Sequence, residues 1–190
     1  MADAPSVNVL GFAGSLRKAS FNRMLLNAAV GLAPDGMTID TYELDLIPAY
    51  NGDVEAQGDP DAVAEFKDAI RRADAILVVT PEYNYGVPGM LKNAIDWASR
   101  PPGKAVLNGK PAAIMGATPG AFGTTRAQHQ LRQSFVFTQT YAVLQPEVLV
   151  AKAHEKFDPE GRLTDEPTRK FVRQLLEALQ SWTLRLRRES

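Results

Sequence analysis

Residues 7–22 read VNVLGFAGSLRKASFN, a short apolar run followed by a glycine, several polar residues and the start of a second apolar pattern. Residues 7–12 have the length and the apolar content of a buried central strand. From residue 21 to residue 32 the apolar side chains recur three and four positions apart, which predicts a helix with one buried face. The stretch is therefore a strand, a loop and a helix in succession.

The same succession recurs along the rest of the chain. Further strands are predicted at residues 38–44, 75–80, 111–115 and 143–150. Further helices are predicted at residues 63–73, 88–98, 127–135 and 168–188. The second strand alternates more and should lie at an outer position, whereas Pro146 in the last strand indicates a sheet edge or a bulge. This alternation predicts a single α/β domain over residues 1–190, whose doubly wound parallel sheet has helices on both faces.

The composition of the 190 residues excludes several classes of function. The net charge is −1 and there is no basic stripe, which argues against general nucleic-acid binding. The absence of cysteine excludes disulfides, thiolate metal sites, iron–sulfur clusters and cysteine nucleophiles. Residues 1–6 lack the pattern of a signal peptide, and no apolar run approaches the roughly 20 residues that span a bilayer. We therefore expect a cytoplasmic protein that binds neither nucleic acid nor membrane.

The loop between the first strand and the first helix has the composition of an anion site. In parallel sheets of this type, ligands bind beyond the carboxyl ends of the strands, where this loop lies. Ser15, Ser20 and Asn22 offer short polar side chains around a helix N-terminus, whose free N–H groups attract anions. Arg17 adds a fork of donors that suits phosphate oxygens, and Gly14 permits a tight turn. Each residue alone would fit a capping or surface role, but their combination predicts a phosphate site.

Known nucleotide-binding loops differ from this one. A P-loop needs Gly-Lys-Ser/Thr, which residues 17–20 (RKAS) do not supply. A dinucleotide-binding loop needs three glycines spaced GxGxxG, and only Gly11 and Gly14 are present. A receiver domain needs an aspartate at the end of the third strand, which instead ends in Thr80 and Pro81. A terminal monophosphate, as in FMN, fits this loop best.

Two further loops belong to the same edge of the predicted sheet. Residues 80–89 read TPEYNYGVPG after the third strand, and residues 116–123 read GATPGAFG after the fourth. The first of them combines aromatic surface with a stiff backbone, which is what a flat heteroaromatic ring needs. An ordinary strand-to-helix turn with tyrosine as a wedge is the alternative for this loop, and the glycines of the other loop also suit plain turns. The loop after the first strand suits a phosphate, and the loops after the third and fourth strands suit a flat ring. Together they predict a bound FMN.

The motifs in these loops resemble a known family. GSLRKASFN at residues 14–22 and PEYNYGVPGMLKNAIDW at residues 81–97 look like the NADPH-dependent FMN reductases, particularly their bacterial quinone and chromate reductase branch. The resemblance extends over about residues 7–150. It implies a flavodoxin-like α/β fold, in which a five-stranded parallel sheet has the order 2-1-3-4-5.

The resemblance also implies which residues hold the cofactor. The FMN phosphate would lie on Ser15, Arg17, Ser20, Phe21 and Asn22. The isoalloxazine ring would be bordered, in part through backbone groups, by Pro81, Glu82, Tyr83, Asn84 and Tyr85, with Thr118 nearby. Two departures from the family pattern concern the ring: Gly86 stands where close relatives often have serine, and residues 123–125 read GTT where a Gly-Gly pair is common.

The resemblance implies an NAD(P)H-dependent oxidoreductase of the FMN/quinone reductase type. Hydride from NADPH or NADH would pass by way of FMN to an acceptor in a ping-pong reaction, with no side chain needed as acid or base and no metal. A quinone is the expected acceptor, although free flavins, azo dyes and chromate also serve in such families. The alternatives are a flavodoxin-type electron carrier, against which the net charge of −1 and Arg17 argue, and a flavin-binding module without turnover.

Two surface segments would contribute to substrate choice and self-association. The resemblance places the loop at residues 47–53 over the flavin, where it would help to select substrates. Family members commonly pair, so we expect a homodimer or homotetramer with the flavin near the subunit contact. Residues 126–137, rich in Gln, Arg and Phe, are the candidate interface, although core packing explains their phenylalanines about equally well.

Overall fold

The computed structural model describes residues 6–189 of the chain, with side chains up to residue 187. Residues 1–5, to which most of the signal-peptide prediction applies, lie outside the described residues. Within residues 6–189 no helix has both the length and the apolar character that crossing a bilayer requires.

The described residues form six strands and six α-helices. The strands are β1 (Val7–Ala13), β2 (Met37–Tyr42), β3 (Ala75–Val79), β4 (Pro111–Ala117), β5 (Tyr141–Ala142) and β6 (Val148–Val150). The helices are α1 (Phe21–Gly31), α2 (Gly52–Glu55), α3 (Asp61–Arg72), α4 (Gly89–Ala98), α5 (Thr125–Thr138) and α6 (Glu166–Glu189), with a 3₁₀ turn at Ala153–Glu155. All five predicted helices are present. The sequence pattern missed only the short elements, among them the single turn of α2.

The strands form a parallel sheet in the order β2-β1-β3-β4-β5. Val9 of β1 lies opposite Ile39 of β2 on one side and Ala75 of β3 on the other, and Ile76 lies opposite Ala112 of β4. This order confirms the predicted flavodoxin-like sheet. β2 lies at one edge and exposes alternate side chains, as predicted, whereas β3 and β4 are fully buried.

The last predicted strand, residues 143–150, is not continuous. β5 and β6 both pair with β4, β5 at its start and β6 at its end. Pro146 lies between them and has no N–H to donate to the ladder, so the edge is interrupted there. The proline indicated this interruption, but the pairing begins earlier than predicted, at Tyr141.

Two layers of helices bury the two faces of the sheet. α1 and α6 cover one face, where Leu25 and Leu175 belong to one buried cluster with Leu77 of β3. α3, α4 and α5 cover the other face, where Phe66 packs edge-on against Phe12 with 5.4 Å between the ring centroids. Because both faces are covered, the loops at the carboxyl ends of the strands form the accessible edge of the sheet.

The apolar spacing of the helix at residues 168–188 predicts that Phe171, Leu175 and Leu179 face inward, and Phe171 does not. Leu175 and Leu179 are fully buried, as predicted, but Phe171 is 50% exposed. Val172 occupies the buried position in that turn, because the buried stripe of the helix runs through residues 172, 175, 176 and 179.

Candidate functional site

A cavity of about 440 Å³ opens at the carboxyl edge of the sheet, between the loops that follow β1, β3 and β4. It is lined by Ser15, Arg17, Ser20, Phe21, Asn22, Pro81, Glu82, Tyr83, Ala117, Thr118 and Pro119. Nine of the eleven predicted site residues are among them. Asn84 and Tyr85 are not, and both lie at the exposed tip of their loop. The sequence pattern did not indicate Ala117 and Pro119, since neither side chain carries recognisable chemistry.

The end of the cavity that the β1–α1 loop forms is rich in hydrogen-bond donors. Ser20 caps α1, and its hydroxyl accepts a hydrogen bond from the N–H of Asn22 at 3.2 Å. The first N–H groups of a helix have no partner within it, and α1 has no acidic residue in its first turn. Ser15 is buried, whereas Arg17 is exposed and donates to the carbonyl of Ala19 at 2.5 Å. Arg17 and the helix dipole therefore give this end a positive charge.

The side chain of Asn22 joins the first of these loops to the third. Its Nδ2 donates to the carbonyl of Ala117, and its Oδ1 accepts from the N–H of Ala117, each at 2.9 Å. Both residues are buried. The amide thus completes the backbone hydrogen bonding at the end of β4 and fixes the loop that begins with Thr118. We therefore interpret the Asn22 side chain as one that positions the walls of the cavity.

Gly14 allows close packing, where the sequence predicted a tight turn. A Cβ at this position would lie 2.9 Å from Cδ2 of Leu91 and 3.2 Å from Cδ of Pro81. The loop after β1 therefore approaches α4 and the loop after β3 more closely than a residue with a side chain allows. The hydroxyls of Ser15 and Tyr83, 3.3 Å apart, connect the same two loops.

The loop after β3 makes a tight two-residue turn. Tyr83 and Gly86 exchange two backbone hydrogen bonds, at 3.0 and 3.1 Å. Asn84 and Tyr85 at the centre have φ values of 50° and 65°, the combination that a type I′ turn requires. Asparagine tolerates this conformation, but for a bulky residue it is strained by about 1–3 kcal/mol. Contacts around the turn must therefore hold Tyr85 in place.

Glu82 caps helix α5 from the loop after β3. Its Oε2 accepts from the backbone N–H groups of Arg126 and Ala127 at 2.9 and 3.2 Å, and its Oε1 accepts from the Arg126 guanidinium at 2.6 Å. Thr124, which precedes the helix, makes no side-chain cap. Burial acts to raise the pKa of Glu82, but the bonds to Arg126 and to the helix N–H groups outweigh it and hold that pKa below its ordinary value. The ionised carboxylate therefore ties the ring-side loop to α5.

Gln130 of α5 fixes the other end of the same turn. Its Oε1 accepts from the N–H of Val87 at 2.7 Å, and it would lie 2.7 Å from a Cβ at residue 86. A serine at this position would displace Gln130 and the hydrogen bond that it makes. The departure from the family pattern at Gly86 is thus coupled to the position of Gln130.

The departure in the third loop has a packing reason as well. Gly123 has a φ of 59°, and a Cβ there would lie 2.6 Å from the backbone carbonyl of Leu149, so glycine is required. Thr124 follows with a φ of 65° and is fully buried, and its Oγ1 accepts from Nε2 of Gln128 at 3.2 Å. A glycine at residue 124 would remove that hydrogen bond. Thr124 therefore serves the packing of α5 and does not line the cavity.

The loop at residues 47–53 is anchored on α4. The carbonyl of Pro48 accepts from Nδ2 of Asn93 and Nε1 of Trp97, at 2.8 and 2.9 Å. Tyr50 donates its N–H to Oδ1 of Asn93 at 2.7 Å, and its ring meets the Trp97 ring edge-on. The lining of the 440 Å³ cavity includes no residue of this loop. Its place over a flavin ring stays a prediction.

Comparison with known proteins identifies the family. Residues 7–155 match the model of the NADPH-dependent FMN reductases. The chain belongs to this family. It is 52% identical over 181 residues to an NAD(P)H-dependent FMN reductase of Pseudomonas aeruginosa. The aligned residues cover 95% of this chain and 97% of that reductase. It is 44% identical over 169 residues to a quinone reductase of Pseudomonas putida. The aligned residues cover 89% of this chain and 90% of that reductase.

A solved structure supports the same assignment. The flavoenzyme NAD(P)H:(acceptor) oxidoreductase from Paracoccus denitrificans matches with a TM-score of 0.86 at 38% identity, over 94% of this chain and 98% of that one. As a member of the FMN reductase family, the chain is an oxidoreductase, and the prediction of FMN and NAD(P)H as its cofactors is confirmed.

The residues around the cavity fit FMN on chemical grounds. At one end, Arg17, the buried hydroxyls of Ser15 and Ser20 and the N-terminus of α1 suit a phosphate. At the other end, the rings of Tyr83 and Pro81 suit a flat heteroaromatic system. The carboxylate of Glu82, which would repel a phosphate, belongs to this second end and is paired with a cation.

Proposed function

We propose that this member of the family is an NAD(P)H:quinone reductase whose FMN lies in the cavity at the carboxyl edge of the sheet. The observation that carries the proposal is the convergence of three loops, far apart in sequence, on one cavity with a cationic end and an aromatic end. The relative from Pseudomonas putida, a quinone reductase at 44% identity, supports a quinone as the acceptor.

In this proposal the side chains bind and orient, and the cofactor supplies the redox chemistry. FMN bound in this cavity would supply the two-electron redox chemistry that connects NAD(P)H with the quinone. Arg17, Ser15 and the first N–H groups of α1 hold the phosphate by charge and by hydrogen bonds. Asn22 and Glu82 keep the three loops at the spacing that the ring requires. The donor and the acceptor use the same open side of the cavity in turn, which gives ping-pong kinetics.

Two-substrate kinetics test this proposal. NADPH is varied at several fixed concentrations of a benzoquinone, with FMN-loaded protein and no other protein present. We expect parallel double-reciprocal lines, and a larger kcat/KM for the quinone than for chromate or an azo dye. Intersecting lines would contradict the shared open side. Reduction of the bound flavin without any turnover of small acceptors would favour an electron carrier, and no reaction with NADPH would favour a binding module.

We also propose that the protein self-associates through the exposed face of α5. Phe135 is buried in the core, but Val136 and Phe137 are 81% and 88% exposed. Adjacent exposed apolar side chains favour contact with a second copy of the chain. Native mass spectrometry should show a dimer or a tetramer for the wild type and a smaller species for Phe137→Ser. Leu46→Ser is the matched control, because Leu46 is an exposed apolar residue outside α5. A monomeric wild type would contradict this interface.

A further inference from the structure

Arg126, at the start of α5, is held in one orientation at the rim of the cavity. Its Nη1 lies 2.6 Å from Oε1 of Glu82, which lines the cavity. Its guanidinium carbon lies 3.8 Å from the centre of the Tyr85 ring and 4.8 Å from the centre of the Phe122 ring. Three neighbours from two loops thus fix a side chain that is itself 35% exposed. Such cation–π contacts orient the guanidinium plane as well as hold its charge.

The fixed guanidinium still has donors to offer. Arginine has five N–H donors, and the hydrogen bonds within residues 6–187 use only those on Nη1. Nε and Nη2 therefore have no acceptor in the part of the chain that the structure describes. The charge is not fully compensated either, because the Glu82 carboxylate also faces the N-terminus of α5. The guanidinium, the helix end and the carboxylate together leave a net charge of about +0.5.

The two aromatic neighbours of Arg126 are not explained by folding. Tyr85 is 73% exposed and Phe122 is 67% exposed, so neither ring contributes to the core. Tyr85 also has the strained φ of 65°, which a glycine would adopt without cost. The contact that both rings share is the Arg126 guanidinium. Strain that the fold does not need is typical of residues kept for a function.

The position of Arg126 indicates which ligand it would bind. Arg17 belongs to the end of the cavity that suits the FMN phosphate. Arg126 is paired with Glu82 at the aromatic end and is partly exposed. A dinucleotide donor must bring its nicotinamide to the flavin ring, which leaves its phosphates outside the cavity, at the rim. We propose that Arg126 binds a phosphate group of the NAD(P)H donor at the rim of the cavity. This inference rests on the proposed function for the identity of the ligand.

Calorimetric titration of the FMN-loaded protein with NADP⁺ and with NAD⁺ measures this contact without turnover. We expect Arg126→Gln to weaken NADP⁺ binding at least tenfold, to leave the FMN affinity within twofold, and to remove most of the salt dependence of NADP⁺ binding. If only the NADP⁺ affinity falls, Arg126 contacts the 2′-phosphate. If the NAD⁺ affinity falls equally, Arg126 contacts the pyrophosphate. Arg126→Lys, which keeps the charge but not the planar fork, should retain part of the affinity.

A matched control separates this contact from a general loss of charge. Lys92→Gln removes a positive charge from an exposed ion pair with Asp96 on α4, and both dinucleotides should bind it within twofold of the wild type. The inference is overturned if Arg126→Gln binds both dinucleotides as tightly as the wild type does. It is also overturned if their affinity falls only in step with the FMN affinity, because Arg126 would then act through Glu82. If Arg126 governs NADP⁺ binding but the wild type does not oxidise NADPH, the reductase proposal fails and the phosphate contact stands.

Discussion

Replacing Asn22 by alanine should destabilise the protein by disconnecting two walls of the cavity. The substitution leaves the N–H and the carbonyl of Ala117 without the partners that Asn22 provides, each at 2.9 Å. Ala117 is 2% exposed, so water does not readily replace the lost amide. An unsatisfied buried polar group costs about 1–3 kcal/mol, and we expect a loss of about 3 kcal/mol in the free energy of unfolding for the two together. In a domain of this size that corresponds to a decrease in Tm of about 6–12 °C.

Urea denaturation of the FMN-free protein, followed by circular dichroism, measures this loss directly. Asn27→Ala is the matched control, because it makes the same substitution on the exposed face of the same helix and should change stability by no more than about 0.5 kcal/mol. The FMN affinity of Asn22→Ala should also fall, since the loop after β4 is no longer fixed to α1. A loss below about 1 kcal/mol would contradict this prediction, because it would mean that the amide is replaceable by water or by local relaxation.

Three further predictions concern the phosphate end, the cap of α5 and the packing of β4. Arg17→Ala should weaken FMN binding at least tenfold in a fluorescence titration, yet change riboflavin binding less than twofold, with Lys18→Ala as the control; equal effects on both flavins would contradict a phosphate contact. Because the folded pKa of Glu82 lies below its ordinary value of 4.5, its contribution to stability is present above that pH and is lost as the pH falls through the folded pKa. Glu82→Gln should therefore be less stable than the wild type at pH 7, and the difference should shrink below about pH 4 in acid denaturation; a difference independent of pH would exclude the charged cap. Gly116→Ala would place a Cβ against the backbone carbonyl of Thr80 and the buried hydroxyl of Thr124. It should lower the free energy of unfolding by about 1–3 kcal/mol in the same urea assay. Gly31→Ala is the control and should not lower it, because the space around Gly31 is open.

The fold was predictable because its evidence is local. Each of the first four strands and each long helix is a run of 5 to 24 residues whose apolar spacing can be read without knowledge of its neighbours. The exceptions are short or shifted elements. β5, which starts at Tyr141, has only two residues and precedes the strand predicted at residues 143–150. Phe171 lies just off the buried stripe of α6. In both cases a shift of one or two positions in the apolar pattern decides which residues are paired or buried. Composition does not resolve so small a shift.

The sequence predicted which residues line the cavity but not which contacts each of their side chains makes. Loop composition and family motifs indicated nine of the residues that line the cavity. The sequence did not show that Glu82 caps a helix that starts more than 40 residues later, or that Asn22 pairs with Ala117. Such partners are set by how the loops pack against each other, and no periodicity records them. The contacts on which the proposed role of Arg126 rests were not predictable for the same reason, because they involve two rings from separate loops.

The most direct test of the account is an anaerobic titration with NADPH, followed in the visible spectrum. We expect the purified protein to show a flavin band near that of free FMN, to lose it on addition of NADPH, and to regain it when a quinone is added. The Arg17→Ala variant should lose the band on dialysis and recover the reaction when excess FMN is supplied. A protein that neither contains nor binds FMN, or a flavin band that NADPH does not bleach, would contradict the assignment of this cavity as the active site of an NAD(P)H-dependent reductase.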